Sequence, residues 1–356
     1  MTDGPGDNVT DKATDNAIDK ITDKTTDGST DIETLTVDQL MPTNEVQALH
    51  GEFIPEHILQ QCRIVRHDID VYTSTGKLLA KFRKKVIPMD LCQLAREHFL
   101  RAARIGYNRG AAAGPIDMAK LPKDVLHLRP RRSHERGVKS SKNYTYYVRT
   151  NGQDAKNQLS NGTRSGLVGY YEKARGLPCR MTGFTRTYFE RYQAGLPFFQ
   201  HLSNLFRDLI PESYERQRKR ALETPNFIIP DTAFSTVTVN HNFPTAIHKD
   251  AGDFKAGFGN LTCISENYEG AHTVFPEWGI GFDVRTGDFL AMNVHEFHGN
   301  SPMIPTDPTH EPLRLTFVCY LRKLIQRCEG GDATASTEAR SNVTPEIKTA
   351  NSPLST

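Results

Sequence analysis

The sequence predicts an α+β domain: a sandwich or barrel of short strands supported by helices that precede it. Three observations carry this. Helix-like periodicity is confined to the stretch before residue 226. After it, short apolar runs separated by turn residues dominate to about 325. A His-x-Asp pair and a distant His fall inside those runs. Helices first and strands second make the helices a support for a β core. Seven or so short strands at near-regular spacing fit a sandwich or barrel.

The ends come first because they explain the composition. The chain has 356 residues, of which 37% are apolar, and its mean hydropathy is −0.53, low for one packed globule. Asp3, Asp7, Asp11, Asp15, Asp19, Asp23, Asp27 and Asp31 recur at every fourth residue. That spacing would stack like charges on one helix face, and large apolar residues are sparse before Ile32, limited to Met1, Val9, Ile18 and Ile21, so residues 1–45 are expected to be an unpacked acidic tail. The Gly, Ser, Thr and Asn content of 329–356 predicts a second one. The formal charge of +2 hides a split: residues 50–328 hold 39 Lys and Arg against 27 acids, net +12. A basic body points to a polyanion such as nucleic acid, or to an ordinary surplus of surface lysine and arginine. No run of 18 apolar residues exists, which excludes a membrane helix. No secretory leader is recognised, so a nuclear or cytoplasmic, non-secreted protein is expected. The six cysteines form no Cys-x-x-Cys pair. A zinc site is therefore not expected, and all six are read as reduced thiols.

Within the body, 46–328, residues 86–105 carry Leu91, Leu94, Ala95, Phe99 and Ala102 at spacings of three and four, with Pro88 near the start where a helix tolerates it. A polar insert follows over 106–166, long for a loop in a compact domain and so either partly unpacked or functional. Further helices are expected over 187–209 and 211–222. The predicted strands are 227–229, 235–239, 246–248, 261–264, 281–284, 289–294 and 313–321.

The chemistry is concentrated between 239 and 321. On a strand, residues i and i+2 face the same side, so His248 and Asp250 aim together, and His298 adds a second imidazole. Two imidazoles and one carboxylate leave three positions of an octahedral Fe(II) open, as oxygen activation requires. A surface His beside an acid is the plainer reading of the bare triplet. Arg314 narrows the choice. It lies in the apolar run 313–317, where a charge needs an anionic partner. The distal carboxylate of 2-oxoglutarate is such a partner, with Thr316 on the same face to add a hydroxyl; Asp283 or Asp288 would serve for a purely structural pair. His295, three residues before His298, is read as a supporting histidine.

The strings HKDAGDF, GNLTCI, GIGFDVRTGDFLAMNVHEFHGN and RLTFVCYLR, with GLPCRMTGFTR upstream, resemble the TET/JBP group of nucleic-acid-modifying dioxygenases over roughly 165–325. The resemblance implies a double-stranded β-helix (jelly-roll, cupin-like) core about 226–325, with Fe(II) held by His248, Asp250 and His298 and 2-oxoglutarate by Arg314. It implies hydroxylation of the 5-methyl group of 5-methylcytosine or thymine in DNA, through hydrogen abstraction and rebound by a ferryl oxidant. Asp253 completes a His-x-Asp-x-x-Asp pattern that also resembles an algal relative using ascorbate. It is therefore a candidate catalytic residue, or else a turn residue.

A methyl group inside a duplex cannot reach a recessed iron, so the target base must flip out. Phe184, His241 and Phe243 are candidates to bracket it, or core residues. DNA contacts are expected from the insert, where nine basic residues lie between 120 and 149 with three tyrosines among them. They include Arg129, Arg131, Arg132, Arg136, Lys139 and Lys142. Arg180 and Arg186 are expected either in the substrate channel or at a helix start. Two other functions fit parts of the pattern. A hydroxylase of RNA, protein or a small molecule would not need the basic insert. A non-catalytic DNA-binding module would not need His248, Asp250, His298 and Arg314.

Overall fold

A computed structural model describes residues 32–117 and 119, the strand backbones at 129–130, 145–148 and 154–159, and residues 160–173 and 177–328. The chain lays down β1 (Glu33–Val37), β2 (Arg63–Val65), β3 (Ile69–Thr73) and β4 (Leu78–Arg83), then helix α1 (Met89–Phe99). After the insert come β5 (Thr163–Tyr171), α2 (Leu196–Leu209) and α3 (Pro211–Ala221). The last third is β6 (Thr236–His241), β7 (Gly259–Glu266), β8 (Thr273–Phe275), β9 (Ile280–Phe282), β10 (Phe289–Met292), β11 (Gly299–Asn300) and β12 (Leu313–Tyr320).

These strands form two sheets. The larger runs β1-β3-β4-β10-β7-β12-β6-β5, with the short strand Arg180–Met181 at its edge. The smaller runs β11-β8-β9-β2, and an antiparallel bridge between His248 and His298 adds the segment before Asp250 to its end. Strands that follow one another in sequence alternate between the sheets: β7 lies in the first, β8 and β9 in the second, β10 in the first, β11 in the second and β12 in the first. That alternation makes the core a double-stranded β-helix.

The larger sheet is buried on both faces, so its strands read as near-continuous apolar runs. Leu315, Phe317 and Cys319 of β12 pack with Val237 and Val239 of β6 against Phe99 of α1 and Phe198, Phe199, Leu202 and Phe206 of α2. On the other face Leu261, Leu290 and Met292 pack against Phe275, Ile280 and Phe282 of the smaller sheet. β12 therefore sends odd-numbered residues to the helices. Its even-numbered residues Arg314, Thr316, Val318 and Tyr320 face a cavity, the period of two that a strand imposes.

Several expectations change here. The packed body begins before residue 46: β1 pairs in parallel with β3, and Leu35 and Val37 pack on the core between the sheets. Residues 1–31 and 329–356 lie outside the described residues. The polar insert ends before 166, because β5 belongs to the larger sheet and pairs with β6 from Gly169 to Ser165. At Gly166 a Cβ would come within 1.8 Å of the Ala102 carbonyl oxygen, so only glycine allows this close crossing. Residues 227–229 do not form a strand; a 3₁₀ turn spans Pro225–Phe227, and Pro230, which lacks an N–H, follows. Residues 246–248 supply one bridge instead of a full strand.

The cysteines require a further correction. Cys179 and Cys328 form a disulfide, with Cα atoms 5.6 Å apart across 149 residues of sequence. Cys62, Cys92, Cys263 and Cys319 are free. Spacing along the chain could not reveal the pair, because the β core brings the two ends of the domain together. Chain entropy alone would make such a bond worth up to about 5 kcal/mol. Cys328→Ser is expected to lower the melting temperature under non-reducing conditions by several degrees, and reductant should bring the parent protein to the same value. A parent melting point indifferent to reductant would show that the bond adds nothing. Among the described residues no helix is long and apolar enough to cross a membrane.

Candidate active site

The three residues expected to hold a metal come together through backbone pairing. His248 and His298 exchange both backbone hydrogen bonds, His248 N to His298 O at 2.9 Å and His298 N to His248 O at 3.0 Å. Directly opposed residues of an antiparallel pair send their side chains to one face, and the two rings lie 4.4 Å apart. Asn300 secures this register: its Oδ1 accepts from the Thr245 N–H, and its Nδ2 donates to the His272 carbonyl of the neighbouring segment. Asp250 follows on a turn, where its N–H donates to the Val294 carbonyl. Its carboxylate lies 3.7 Å from His248 Nε2 and 3.8 Å from His298 Nε2.

The outer nitrogens fix how the rings present themselves. Nδ1 of His248 is 2.8 Å from the Ala246 carbonyl, and Nδ1 of His298 is 3.0 Å from the Glu296 carbonyl. A carbonyl can only accept, so each Nδ1 carries the proton and each Nε2 offers a lone pair to the cluster. Burial, and then the adjacent His248, push His298 down to about 4 while Asp250 opposes; near neutral pH it is a neutral imidazole, the form that binds a metal. One ligand atom from each of the three residues fits within 4.8 Å of the others, the sole such His/Cys/Asp/Glu group among the described residues. The donor set suits Fe(II). His295 stands apart, its Nε2 3.3 Å from the Phe254 carbonyl.

The cluster opens on a cavity of about 330 Å³. Arg314 lies at one end, 4% exposed. Its guanidinium has no carboxylate partner among the described residues, and its Nε is buried without a hydrogen bond. The structural alternatives are already engaged, since Asp283 pairs with Arg285 and Arg66 and Asp288 with Lys84. A buried, uncompensated guanidinium is costly, so the site lacks an anion here. A dicarboxylate with one end at the His/Asp cluster would supply it, and Thr316 lines the same wall.

Asp253 also reaches the cavity, through a bridge to Arg322. Burial, and then the neighbouring Asp250, push its carboxyl well above the usual range against the pull of Arg322, and its Oδ2 has no partner. Of the three proposed base-bracketing residues, Phe243 lines the cavity. Phe184 does not; it packs in the helical core beside Phe99 and Tyr188. His241 falls on the opposite face of β6 from Thr238 and Asn240, which do line the cavity. Burial, and then Arg164, lower its pKa.

Arg180 is held by the Glu172 and Pro178 carbonyls and lies over the Tyr171 ring. Arg186 stands in the last turn of a short helix, Gly183–Thr187, capped by the Thr182 hydroxyl, and is not part of the cavity wall. Neither is at a helix start: Arg180 belongs to the short edge strand and Arg186 to the last turn of its helix. Arg129 belongs to a described strand backbone, while Arg131, Arg132, Arg136, Lys139 and Lys142 lie outside the described residues. Sequence reasoning missed Arg109, Asn240 and Tyr320, all on the cavity wall. Period-two alternation from Thr316 and Arg314 would have found Tyr320, and the pairing of Asn240 with Thr316 explains Asn240. Arg109 has no local signal beyond the small-residue stretch 110–114 that follows it.

Residues 164–323 match the Tet_JBP family, described as the oxygenase domain of the 2OGFeDO superfamily. Thymine dioxygenase JBP1 of Crithidia fasciculata is 33% identical over 166 residues, covering 45% of this chain and 20% of that protein. The bifunctional helicase and thymine dioxygenase JBP2 of Leishmania tarentolae is 36% identical over 161 residues, covering 44% and 14%. The chain thus spans a fifth or less of the length of these relatives. A solved structure of NgTET1 in complex with 5mC DNA aligns with 85% of this chain and 100% of its own at 10% identity and a TM-score of 0.47. Domains of this superfamily work with Fe(II) and 2-oxoglutarate. Residues 164–323, a little under half of the chain, thus carry the similarity to the TET/JBP oxygenase domain of the 2-oxoglutarate/Fe(II) superfamily.

Proposed function

We propose that this domain hydroxylates the 5-methyl group of a pyrimidine, thymine or 5-methylcytosine, in duplex DNA, with the target base flipped out. The observation that carries the reading is the pairing of an uncompensated buried Arg314 with a two-His, one-Asp cluster on one cavity wall. The names of the JBP relatives support DNA thymine as a substrate.

His248, Asp250 and His298 would hold Fe(II), which when bound supplies the redox chemistry that activates dioxygen. Arg314 would grip the far carboxylate of 2-oxoglutarate, assisted by Thr316, and so fix the direction in which the co-substrate enters. The backbone carbonyls behind His248 and His298 keep both rings oriented before anything binds, so orientation is not lost between turnovers. Leu261, Met292 and Val318 give this part of the wall an apolar floor and help to exclude water. Asp253, whose carboxyl burial holds well above the usual carboxylate range, is placed to hold or release a proton beside Asp250. A DNA substrate implies a nuclear location.

Incubating the purified chain with Fe(II), 2-oxoglutarate and duplex DNA containing thymine and 5-methylcytosine, then weighing the digested nucleosides, tests the reading. A hydroxymethyl product with stoichiometric succinate is expected. Succinate without any modified base would refute DNA as the substrate, and ascorbate in place of 2-oxoglutarate should give no product. If the basic insert carries DNA binding, affinity should fall steeply with salt, by about 10³-fold or more between 50 and 200 mM for six or more phosphate contacts. A flat response would remove the insert from the interface.

A further inference from the structure

The cavity is longer than the co-substrate. Arg314 and Tyr320 lie six residues apart on β12 and both line it, a separation of about 20 Å at ~3.4 Å per residue. A five-carbon diacid with bonds of about 1.5 Å covers less than half of that. The end of the cavity at Tyr320 must therefore serve something other than 2-oxoglutarate.

Most polar groups at that end are already engaged. The Tyr320 hydroxyl accepts from Arg322 Nη1 at 3.4 Å, and the Thr238 hydroxyl lies 3.5 Å from it. Arg322 is paired with Glu172, its Nη2 2.8 Å from Glu172 Oε1. Asn240 accepts the Ser165 hydroxyl on its Oδ1. Arg109 is a buried donor that is not fully engaged. Its Nη2 donates to the Gly166 carbonyl at 3.4 Å, its Nε is buried with no partner, and among the described residues no carboxylate lies within ion-pair distance. It is anchored from both sides, by its own N–H to Ser160 Oγ at 3.0 Å and by the next turn, where Ala112 O accepts from Ala246 N–H at 3.0 Å. Such a guanidinium is pre-organised and has unspent donors, the arrangement that reads a ligand acceptor with directional bonds.

We propose that Arg109 is a substrate-recognition residue that donates to a ring carbonyl oxygen of the flipped pyrimidine, while Arg314 serves the co-substrate at the opposite end. This deepens the function proposed above and rests on it. With its Nε buried and unpartnered, the unmet requirement at Arg109 is for a directed acceptor. Both thymine and 5-methylcytosine offer a carbonyl at C2, and thymine a second one at C4.

The experiment compares the full chain with Arg109→Leu and Arg109→Lys, each loaded with Fe(II), on thymine-containing and 5-methylcytosine-containing duplexes. Base product, KM for 2-oxoglutarate and succinate formed without DNA are measured together. Arg109→Leu is expected to lower kcat/KM for the duplex about ten- to hundred-fold, the size of one lost charge-assisted hydrogen bond. The KM for 2-oxoglutarate and DNA-free succinate formation should stay within about two-fold, and Arg109→Lys should recover part of the loss. A rise in the 2-oxoglutarate KM would move Arg109 to the co-substrate and overturn the proposal, as would an unchanged kcat/KM for the duplex. DNA-free succinate formation keeps the test readable if the leucine variant is less stable. Absence of any base product from the parent chain overturns the substrate reading itself, which is distinct from a defect confined to the variants.

Discussion

Asp250→Ala is expected to eliminate base oxidation, a loss well beyond the ~10–100-fold that follows removal of an outer partner of a metal ligand. Asp250 is the one anionic group in the His/Asp cluster, and two neutral imidazoles alone bind a divalent cation weakly. Among the described residues its carboxylate pairs only with the two imidazoles, and its backbone bonds, the N–H given to Val294 and the carbonyl accepting from Asp253, are ones that alanine keeps. DNA binding and the melting temperature of the metal-free chain should therefore change little. Loss of Fe(II) affinity, followed by calorimetry or by quenching with Co(II) as a probe, should parallel the loss of turnover. An Asp250→Ala variant that retains turnover, or that loses DNA binding and folding together with turnover, would show that the cluster is structural.

Arg314→Met should raise the KM for 2-oxoglutarate by about 10²-fold or more, since breaking a buried ion pair costs on the order of 3–5 kcal/mol. A second readout separates this from a structural role. Without the co-substrate the guanidinium is buried with no counter-charge, so methionine, of comparable length and apolar, should leave the melting temperature unchanged or raise it. The stabilisation that 2-oxoglutarate gives the parent chain by binding the folded state alone should vanish in the variant. A variant that melts well below the parent in the absence of 2-oxoglutarate would point to an internal partner for Arg314.

Much of the site was legible because its residues lie on regular strands. A period of two puts Arg314 and Thr316 on one face, and a charged residue in an otherwise apolar run announces a buried partner that the sequence does not name. His248, Asp250 and His298 were readable as a set by chemistry, although the path from His248 to Asp250 is a turn rather than the strand that motivated it. What was not legible depends on pairings distant in sequence. β1, on the near side of a long acidic stretch, packs because β3 receives it. Phe184 looked like a base-stacking aromatic in a family-like string, yet the helical core takes it. Arg109 sits in a polar insert where no periodicity marks it, and it lines the cavity beside β5, its Nη2 donating to the Gly166 carbonyl. The disulfide joins residues whose proximity follows from closure of the whole β core.

The division of labour along β12 has a consequence for quality control of the fold. Odd positions fill the helix-facing core and even positions build the active cavity, so a slip of one residue in its pairing would exchange them all. Arg314 would then be driven among the phenylalanines, and Phe317 would stand where the co-substrate belongs. The energetic penalty of such an error falls on the same strand that loses function. A misregistered chain thus fails to fold instead of persisting as a folded but inactive domain.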